Sequence, residues 1–207
     1  MNLDKERELF QNGYHLIGGV DEAGRGPLAG PVVAACVVID DNFVISGPEL
    51  ELVRDSKKLS ARQREKIFAV IKAKTAAVAI GVVDHKTIDK INILQATFLA
   101  MKKAIDQMAV TPDYILVDGG FQIPQLKLAQ EAVKEGDAKI FCIAAASIIA
   151  KVSRDYLMTE LDKKYPAYNF AQHKGYGTKL HLAKILEHGP SPIHRRSFSP
   201  IKEMMEK

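Results

Sequence analysis

GVDEAGRGP, at residues 19–27, joins the end of an apolar run to two adjacent carboxylates and a Gly-Arg-Gly turn. Asp21 and Glu22 are predicted to end a buried strand, where adjacent carboxylates repel each other and lose hydration. A divalent cation relieves both penalties, and oxygen ligands of this kind suit Mg²⁺ or Mn²⁺. The dipeptide taken alone is also compatible with a solvated Asp-Glu pair in a turn.

The turn that follows combines close backbone approach with a positive charge. Gly24 and Gly26 allow a ligand to come near the main chain, and Arg25 between them can reach a phosphate. The letters GRGPLA also match the Gly-x-Gly-x-x-Ala pattern of dinucleotide-binding folds. That pattern must open a helix, whereas residues 31–39 here form a Val-rich strand candidate, which disfavours a nicotinamide site.

Apolar and β-branched runs predict five strands, at residues 15–21, 31–39, 76–83, 114–117 and 139–143. The tight glycine-rich link between the first two suggests a hairpin. Amphipathic helices are predicted between the later strands and in the last part of the chain. Hairpin strands followed by strands that alternate with helices indicate an α/β fold, with a mixed sheet flanked by helices.

Capping residues mark where several of these helices begin. Ser60 is followed by Gln63 at the spacing of a capping box. Thr178 is placed to cap another helix, and a long helix is predicted over about 144–164. A last short helix is predicted after Pro200.

The composition limits the class of protein. The 207 residues are 47% hydrophobic, which suits one domain with a substantial core. Apolar runs are too short for a transmembrane helix and the charged N-terminus has no signal-peptide core, so we expect a cytoplasmic protein. Cys36 and Cys142 lie in apolar runs and are expected to be buried free thiols. A net charge of +4 does not by itself demonstrate a nucleic-acid partner.

Asp118 ends its predicted strand as Asp21 ends the first one, and glycines follow both. Ligands of open α/β sheets collect beyond the strand ends. If the two strands are neighbours, these carboxylates and Glu22 converge. With one further acid they would make four carboxylates. Four carboxylates around two divalent ions form a site for phosphodiester hydrolysis, in which one ion activates water and the other stabilises the leaving oxygen.

Two further acids are candidates for the same place. Asp137 directly precedes the predicted fifth strand, and Asp155 lies at the edge of the apolar stripe of the long helix. For Asp137 the alternative is an ordinary loop acid. For Asp155 the alternative is an ion pair with Arg154 or Lys151.

A third motif, HKGYGTK at residues 173–179, joins two predicted helices. Its cations, glycines and aromatic ring can lie against a nucleic-acid backbone, with Tyr176 stacking on a sugar or base. A tyrosine packed at the base of an ordinary loop is the alternative. Arg195 and Arg196, farther along, add two more cations.

Together these motifs resemble type 2 ribonuclease H, the bacterial ribonuclease HII family. The matching stretches run in order along nearly the whole chain: GVDEAGRGP at 19–27, DSKKL at 55–59, VDG at 117–119, GD at 136–137, AASIIAKVSRD at 145–155, HKGY at 173–176 and HRRSF at 194–198. The first stretch and the long-helix stretch are very specific, while VDG alone is weak.

The resemblance implies a ribonuclease H-like fold, with a mixed five-stranded sheet and a small C-terminal helical extension. It implies one domain, with a catalytic core over about 13–165 and a helical part over about 166–207. It implies cutting of the RNA strand of RNA–DNA hybrids and of ribonucleotides embedded in duplex DNA. Cleavage on their 5′ side would leave 3′-hydroxyl and 5′-phosphate ends. No membrane and no obligate protein partner is expected, and we expect a monomer.

By matched position, the resemblance implies that four carboxylates hold two Mg²⁺ or Mn²⁺ ions during catalysis: Asp21, Glu22, Asp118 and Asp137. Asp155 also fits a motif position and is an additional candidate.

The resemblance also implies the substrate contacts. Gly24, Arg25 and Gly26 are similar to the loop that senses the ribonucleotide 2′-hydroxyl, the group that separates RNA from DNA at one nucleotide. Tyr176 matches the tyrosine that stacks near the junction of ribose and deoxyribose. Lys57, in the DSKKL stretch, is a further candidate for substrate binding.

Two alternatives remain. Another metal-dependent nuclease on the same fold, such as a junction or strand-transfer enzyme, would cut DNA-only junctions. A non-catalytic module would bind hybrids in EDTA and leave them uncut in Mg²⁺, although an acidic cluster without cations repels phosphate.

Overall fold

The computed structural model describes residues 2–53 and 59–206, so the candidate Lys57 lies outside the described residues. The strands are β1 Leu16–Ala23, β2 Val32–Asp40, β3 Ala77–Val83, β4 Tyr114–Asp118 and β5 Ala129–Val133. The helices are α1 Asp4–Gln11, α2 Pro48–Glu51, α3 Ala61–Lys74, α4 His85–Asp106, α5 Gly136–Lys139, α6 Phe141–Lys164, α7 Phe170–His173, α8 Lys179–His188 and α9 Ile201–Met205.

The five strands form one mixed sheet in the order β3-β2-β1-β4-β5. β1 and β2 make the predicted antiparallel hairpin, and β3 pairs antiparallel with β2. β4 runs parallel to β1 and pairs Val117 with Val20. Because parallel strands end at the same edge, this register brings the next residues, Asp21 and Asp118, to one edge of the sheet.

Alternation along the strands divides the core into two layers. Ile17, Ala35 and Leu116 face the cluster that contains α6, whereas Val20 and Ala34 face the cluster that contains α4. β2 is buried on both faces except at its last residue, which explains its continuous apolar run. The sheet therefore packs between two long helices, α6 on one face and α4 on the other.

Helix α6 crosses β1 at a glycine. A Cβ atom added to Gly19 would clash with the backbone of Cys142 and Ile143. The absence of a side chain therefore lets the helix rest directly on the strand that ends in Asp21. Glu6 of α1, which is fully buried, accepts a hydrogen bond from the Cys142 N–H at 3.1 Å near the start of the same helix.

The local helix signals are confirmed. Ser60 and Gln63 form both hydrogen bonds of a capping box at the start of α3. Thr178 caps α8 by accepting from the His181 N–H, and α9 follows Pro200. Within the described residues, no helix combines the length and the hydropathy needed to cross a bilayer.

The predicted strand at 139–143 is wrong. These residues span the end of α5 and the start of α6, and the fifth strand is Ala129–Val133. A short apolar run does not distinguish a strand from a buried helix, and residues 141–146 are buried on every side. The true edge strand, AQEAV, is partly exposed and has no apolar alternation that would reveal it.

Hydrogen bonds through two neutral histidines, His181 and His194, connect α8 with the segments before and after it. The Ser191 N–H donates to His194 Nδ1 at 2.8 Å, so the other ring nitrogen of His194 carries the proton. That nitrogen lies 3.0 Å from His181 Nε2, and His181 Nδ1 lies 2.9 Å from the Tyr176 carbonyl oxygen. We assign the tautomers from these partners, and both rings are neutral in this arrangement.

The free energy of unfolding should fall as the pH drops from about 6.5 towards 4. Burial lowers the pKa of His181 and of His194 from 6.5 to about 4. Between these pH values the unfolded chain binds protons that the folded chain does not. The contribution of the two histidines to stability is therefore complete above pH 6.5 and is lost as the pH falls towards 4. At about 1.4 kcal/mol per pKa unit, each histidine contributes at most about 3 kcal/mol.

Urea unfolding at several pH values checks this prediction. His181→Gln should flatten the pH dependence of the free energy of unfolding in this window. Equal slopes in the wild-type protein and the variant would contradict the assignment.

Candidate metal and nucleic-acid site

Three of the predicted carboxylates meet at the edge where β1 and β4 end. Asp21 is only 6% exposed, and its pKa is raised well above the ordinary value of 3.8. Burial is the main cause, and the negative charges of Glu22 and Asp118 add to it. The Asp21 carboxylate accepts from the Glu22 N–H at 2.7 Å, and the nearby side chain of Ser147 on α6 acts to lower the pKa of Asp21. The structure therefore brings together the residues on which the sequence argument depended.

Glu22 has two competing neighbours. Burial raises its pKa, while a hydrogen bond and ion pair with Arg25 lower it and the charge of Asp118 raises it again. Arg25 Nη1 lies 3.1 Å from the Glu22 carboxylate, and half of the Arg25 side chain is exposed. Arg25 thus partly neutralises the cluster and remains open to solvent.

Asp137 lies beside Asp118, although on a helix and not before a strand. It is in α5 and is 6% exposed. Asp118 Oδ1 accepts from the Gly136 N–H at 2.7 Å and from the Asp137 N–H at 3.3 Å. The β4 end and the start of α5 are therefore joined through the Asp118 carboxylate.

The carboxylates fit a divalent cation without forming a closed cage. Among residues 2–53 and 59–206, no set of three or more His, Cys, Asp and Glu side chains is arranged to enclose a metal ion. Mg²⁺ needs no such cage, because it binds through one or two carboxylates plus waters and substrate phosphate. Burial and mutual repulsion raise the pKa of Asp21, and a bound cation would relieve both effects. Sites with only oxygen donors suit Mg²⁺ or Mn²⁺.

A cleft of about 360 Å³ opens beside these acids. Its lining joins the strand end, the glycine turn and two helices: Glu22, Ala23, Gly24, Arg64, Ser147, Ile148, Lys151 and Tyr176. Two of the predicted recognition elements, the glycine turn and the tyrosine, therefore share one cleft with Glu22. Tyr176 is 42% exposed, so its ring is available to a ligand.

Three residues of this cleft were not predicted from the sequence to line a site. Ser147 and Lys151 lie one helical turn apart on α6, inside the most specific motif of the helix. Arg64 belongs to α3 and lies within a stretch rich in basic residues at 54–66. Helical spacing would have placed Ser147 and Lys151 together, but the approach of α3 to α6 is a tertiary contact with no local pattern.

Asp155 forms the ion pair that the sequence left open as an alternative. Its Oδ1 lies 2.6 Å from Lys151 Nζ on the same helix. Both side chains are partly buried, and Lys151 is the one that lines the cleft beside Glu22. Asp155 thus holds the ammonium group of Lys151 beside the cleft.

Of the two cations that the sequence adds near the C-terminus, Arg195 does not reach the surface. Arg195 is fully buried, and its guanidinium donates to main-chain carbonyl groups. Five fixed N–H donors satisfy several loop carbonyls at once, which a surface cation would leave to water. Arg196, the next residue, is exposed.

Comparison with known proteins indicates the ribonuclease HII family. The family model for ribonuclease HII matches residues 18–201. The ribonuclease HII of Geobacter metallireducens is 54% identical over 198 residues, which cover 96% of this chain and 90% of that protein.

Solved structures agree with this similarity. The ribonuclease H2 from Pyrococcus horikoshii has a TM-score of 0.74 and 29% identity, covering 92% of this chain and 97% of that one. The ribonuclease HII from Archaeoglobus fulgidus, solved in a complex with PCNA, has a TM-score of 0.69 and 25% identity over 89% of this chain and 95% of that one. The predicted ribonuclease H-like fold is confirmed.

Proposed function

The chain belongs to the ribonuclease HII family and is a ribonuclease H, and from this premise we propose that it cuts on the 5′ side of ribonucleotides embedded in duplex DNA as well as in uniform hybrids. The products would carry 3′-hydroxyl and 5′-phosphate ends. One observation carries the proposal: the paired ends of β1 and β4 place the acids beside a cleft that also contains the glycine turn and Tyr176.

Asp21, Glu22, Asp118 and Asp137 are the proposed ligands of the divalent ions. When bound, two Mg²⁺ or Mn²⁺ ions would activate the attacking water and stabilise the leaving oxygen. Asp118 is oriented for this role by the N–H groups of α5, and Asp21 by the Glu22 N–H. No side-chain nucleophile is needed.

The glycine turn and Tyr176 are proposed to read the sugars. Backbone groups of Gly24 and Gly26 would contact the 2′-hydroxyl, which is present in ribose alone. Tyr176 would stack on the adjacent deoxyribose, where no hydroxyl group interferes. A substrate with one ribonucleotide in DNA satisfies both contacts at neighbouring sugars.

Cations of the cleft are proposed to hold the phosphate backbone. Lys151 and Arg64 line the cleft, and Asp155 fixes Lys151 through their ion pair. Arg25 would leave Glu22 to reach a phosphate when the acids are neutralised by cations. Lys57 remains a candidate for the same role.

The single-domain organisation and the cytoplasmic location stay predictions. The Archaeoglobus relative was solved with PCNA, so a homologue binds a protein partner. For this chain we propose that cleavage requires no protein partner and that the monomer is active.

Incubation with Mg²⁺ and a labelled DNA duplex that carries one ribonucleotide tests the function. We expect a single nick 5′ of the ribonucleotide, no cut in the all-DNA duplex of the same sequence, and no cut in EDTA. Folded protein that leaves the ribonucleotide duplex intact would refute the proposal. Cutting of DNA-only junctions would favour another nuclease, and tight binding without cleavage would favour a binding module.

A further inference from the structure

The buried Arg195 side chain binds the main chain of the glycine turn. Its Nη1 donates to the Arg25 carbonyl at 2.8 Å and its Nη2 donates to the Gly24 carbonyl at 2.6 Å. The same guanidinium donates to Gly30 and Pro31 at 3.0 and 3.2 Å. It therefore ties the turn to the start of the second strand of the hairpin.

Arg154 holds the other recognition element. Its Nε donates to the Pro31 carbonyl at 2.9 Å and its Nη1 donates to the Lys174 carbonyl at 2.9 Å. Its guanidinium also lies 5.8 Å from the centre of the Tyr176 ring. The loop that carries the tyrosine is thus fixed to the same carbonyl group that Arg195 contacts.

The two guanidiniums form a continuous bridge. It runs from the Gly24 and Arg25 carbonyls through Arg195 to Pro31, and from Pro31 through Arg154 to Lys174. Both arginines are at most 1% exposed. In addition, a Cβ atom at Gly24 would clash with Arg154, so the turn rests directly on the second arginine.

The bridge holds two positive charges close together in the interior. Burial first, and then the positive charge of Arg154, lower the pKa of Arg195 to about 9. The contacts that carry the bridge are to carbonyl groups and not to a carboxylate, so two like charges share a dry region. Carbonyls of ordinary loops are satisfied by water or main-chain N–H groups at lower cost.

We propose that Arg195, together with Arg154, is a positioning residue that sets the spacing between the glycine turn and Tyr176 and thereby the preference for a ribose next to a deoxyribose. This inference rests on the proposed function. A single embedded ribonucleotide requires both elements to engage neighbouring sugars at once. In a uniform hybrid every nucleotide of the RNA strand carries a 2′-hydroxyl, and there is no deoxyribose for Tyr176. Cleavage of the hybrid should therefore depend less on the spacing between the turn and Tyr176.

The test compares kcat/KM on two substrates, a duplex with one ribonucleotide and a uniform hybrid. Arg195→Lys keeps the charge but lacks the fork that reaches several carbonyls. We expect its kcat/KM on the single ribonucleotide to fall about tenfold more than on the hybrid. The same substitution at exposed Arg7 of α1 is the matched control and should leave the ratio unchanged.

A double-mutant cycle separates positioning from general destabilisation. In a Tyr176→Ala background, Arg195→Lys should cause no further change in the ratio, because the spacing has lost one of its two elements. Parallel losses on both substrates, or additive changes in the cycle, would overturn the inference. Wild-type protein that cuts neither substrate would instead refute the proposed function.

A second variant keeps the test valid if Arg195→Lys does not fold. The guanidinium of Arg195 lies 4.9 Å from the centre of the Phe198 ring. Phe198→Leu removes this contact and retains the arginine. We expect a shift of the substrate ratio in the same direction, of about threefold, and an unchanged ratio in the folded variant would overturn the inference.

Discussion

Replacing Asp118 by asparagine should lower kcat for ribonucleotide cleavage about a thousandfold, since loss of this proposed metal ligand would remove several kcal/mol of transition-state stabilisation. The fold should survive, because the asparagine oxygen can still accept the Gly136 N–H that now lies 2.7 Å from Asp118. The charge of Asp118 also raises the pKa of Asp21 through repulsion. Its removal should therefore leave the free energy of unfolding unchanged or slightly higher, within about 1 kcal/mol.

Single-turnover cleavage and urea unfolding measure the two halves of this prediction. Asp113→Asn is the matched control, because Asp113 lies just before β4 at the opposite end of that strand. Its carboxylate accepts from the His15 and Leu16 N–H groups, each at 2.9 Å. Full activity is expected for this variant. Retention of more than about a tenth of the activity by Asp118→Asn would remove Asp118 from the metal site.

Gly19→Ala should lower the free energy of unfolding by about 3 kcal/mol. The new methyl group would clash with the backbone of Cys142 and Ile143, and neither backbone can move without displacing α6 from β1. Because α6 also carries Ser147 and Lys151 of the cleft lining, activity should fall together with stability.

The matched control is Gly120→Ala. A Cβ atom there would find its nearest neighbour at 3.7 Å, the end of the flexible Lys134 side chain. Urea unfolding should show little change for this exposed position. Equal stability of the two alanine variants would contradict the close approach of α6.

Local signals predicted the parts of the fold that local chemistry fixes. The capping box of Ser60 and Gln63 marks the start of α3 correctly, because both hydrogen bonds lie within one turn. The hairpin was also predictable from its glycine-rich link. The edge strand Ala129–Val133 was not, because its pairing with β4 is a tertiary contact between residues without apolar alternation.

The residues of the site also divide into those that the sequence predicted and those that it did not. Carboxylates at strand ends predicted the convergence of Asp21 and Asp118 on the condition that their strands are neighbours, and the parallel pairing of β1 with β4 meets that condition. The burial of Arg195 was not predictable. Its sequence context resembles that of a surface cation, and its partner Gly24 is 171 positions away.

That distance along the chain has a consequence for biosynthesis. Translation delivers the glycine turn early and its guanidinium support near the end, and N-terminal parts of a protein begin to fold first. A ribosome-bound chain can therefore assemble the sheet and its acids before the turn is held in place. If Arg195 has the proposed positioning role, we expect selective cutting only after the last segment is released, and we expect a chain interrupted before residue 195 to lack this selectivity.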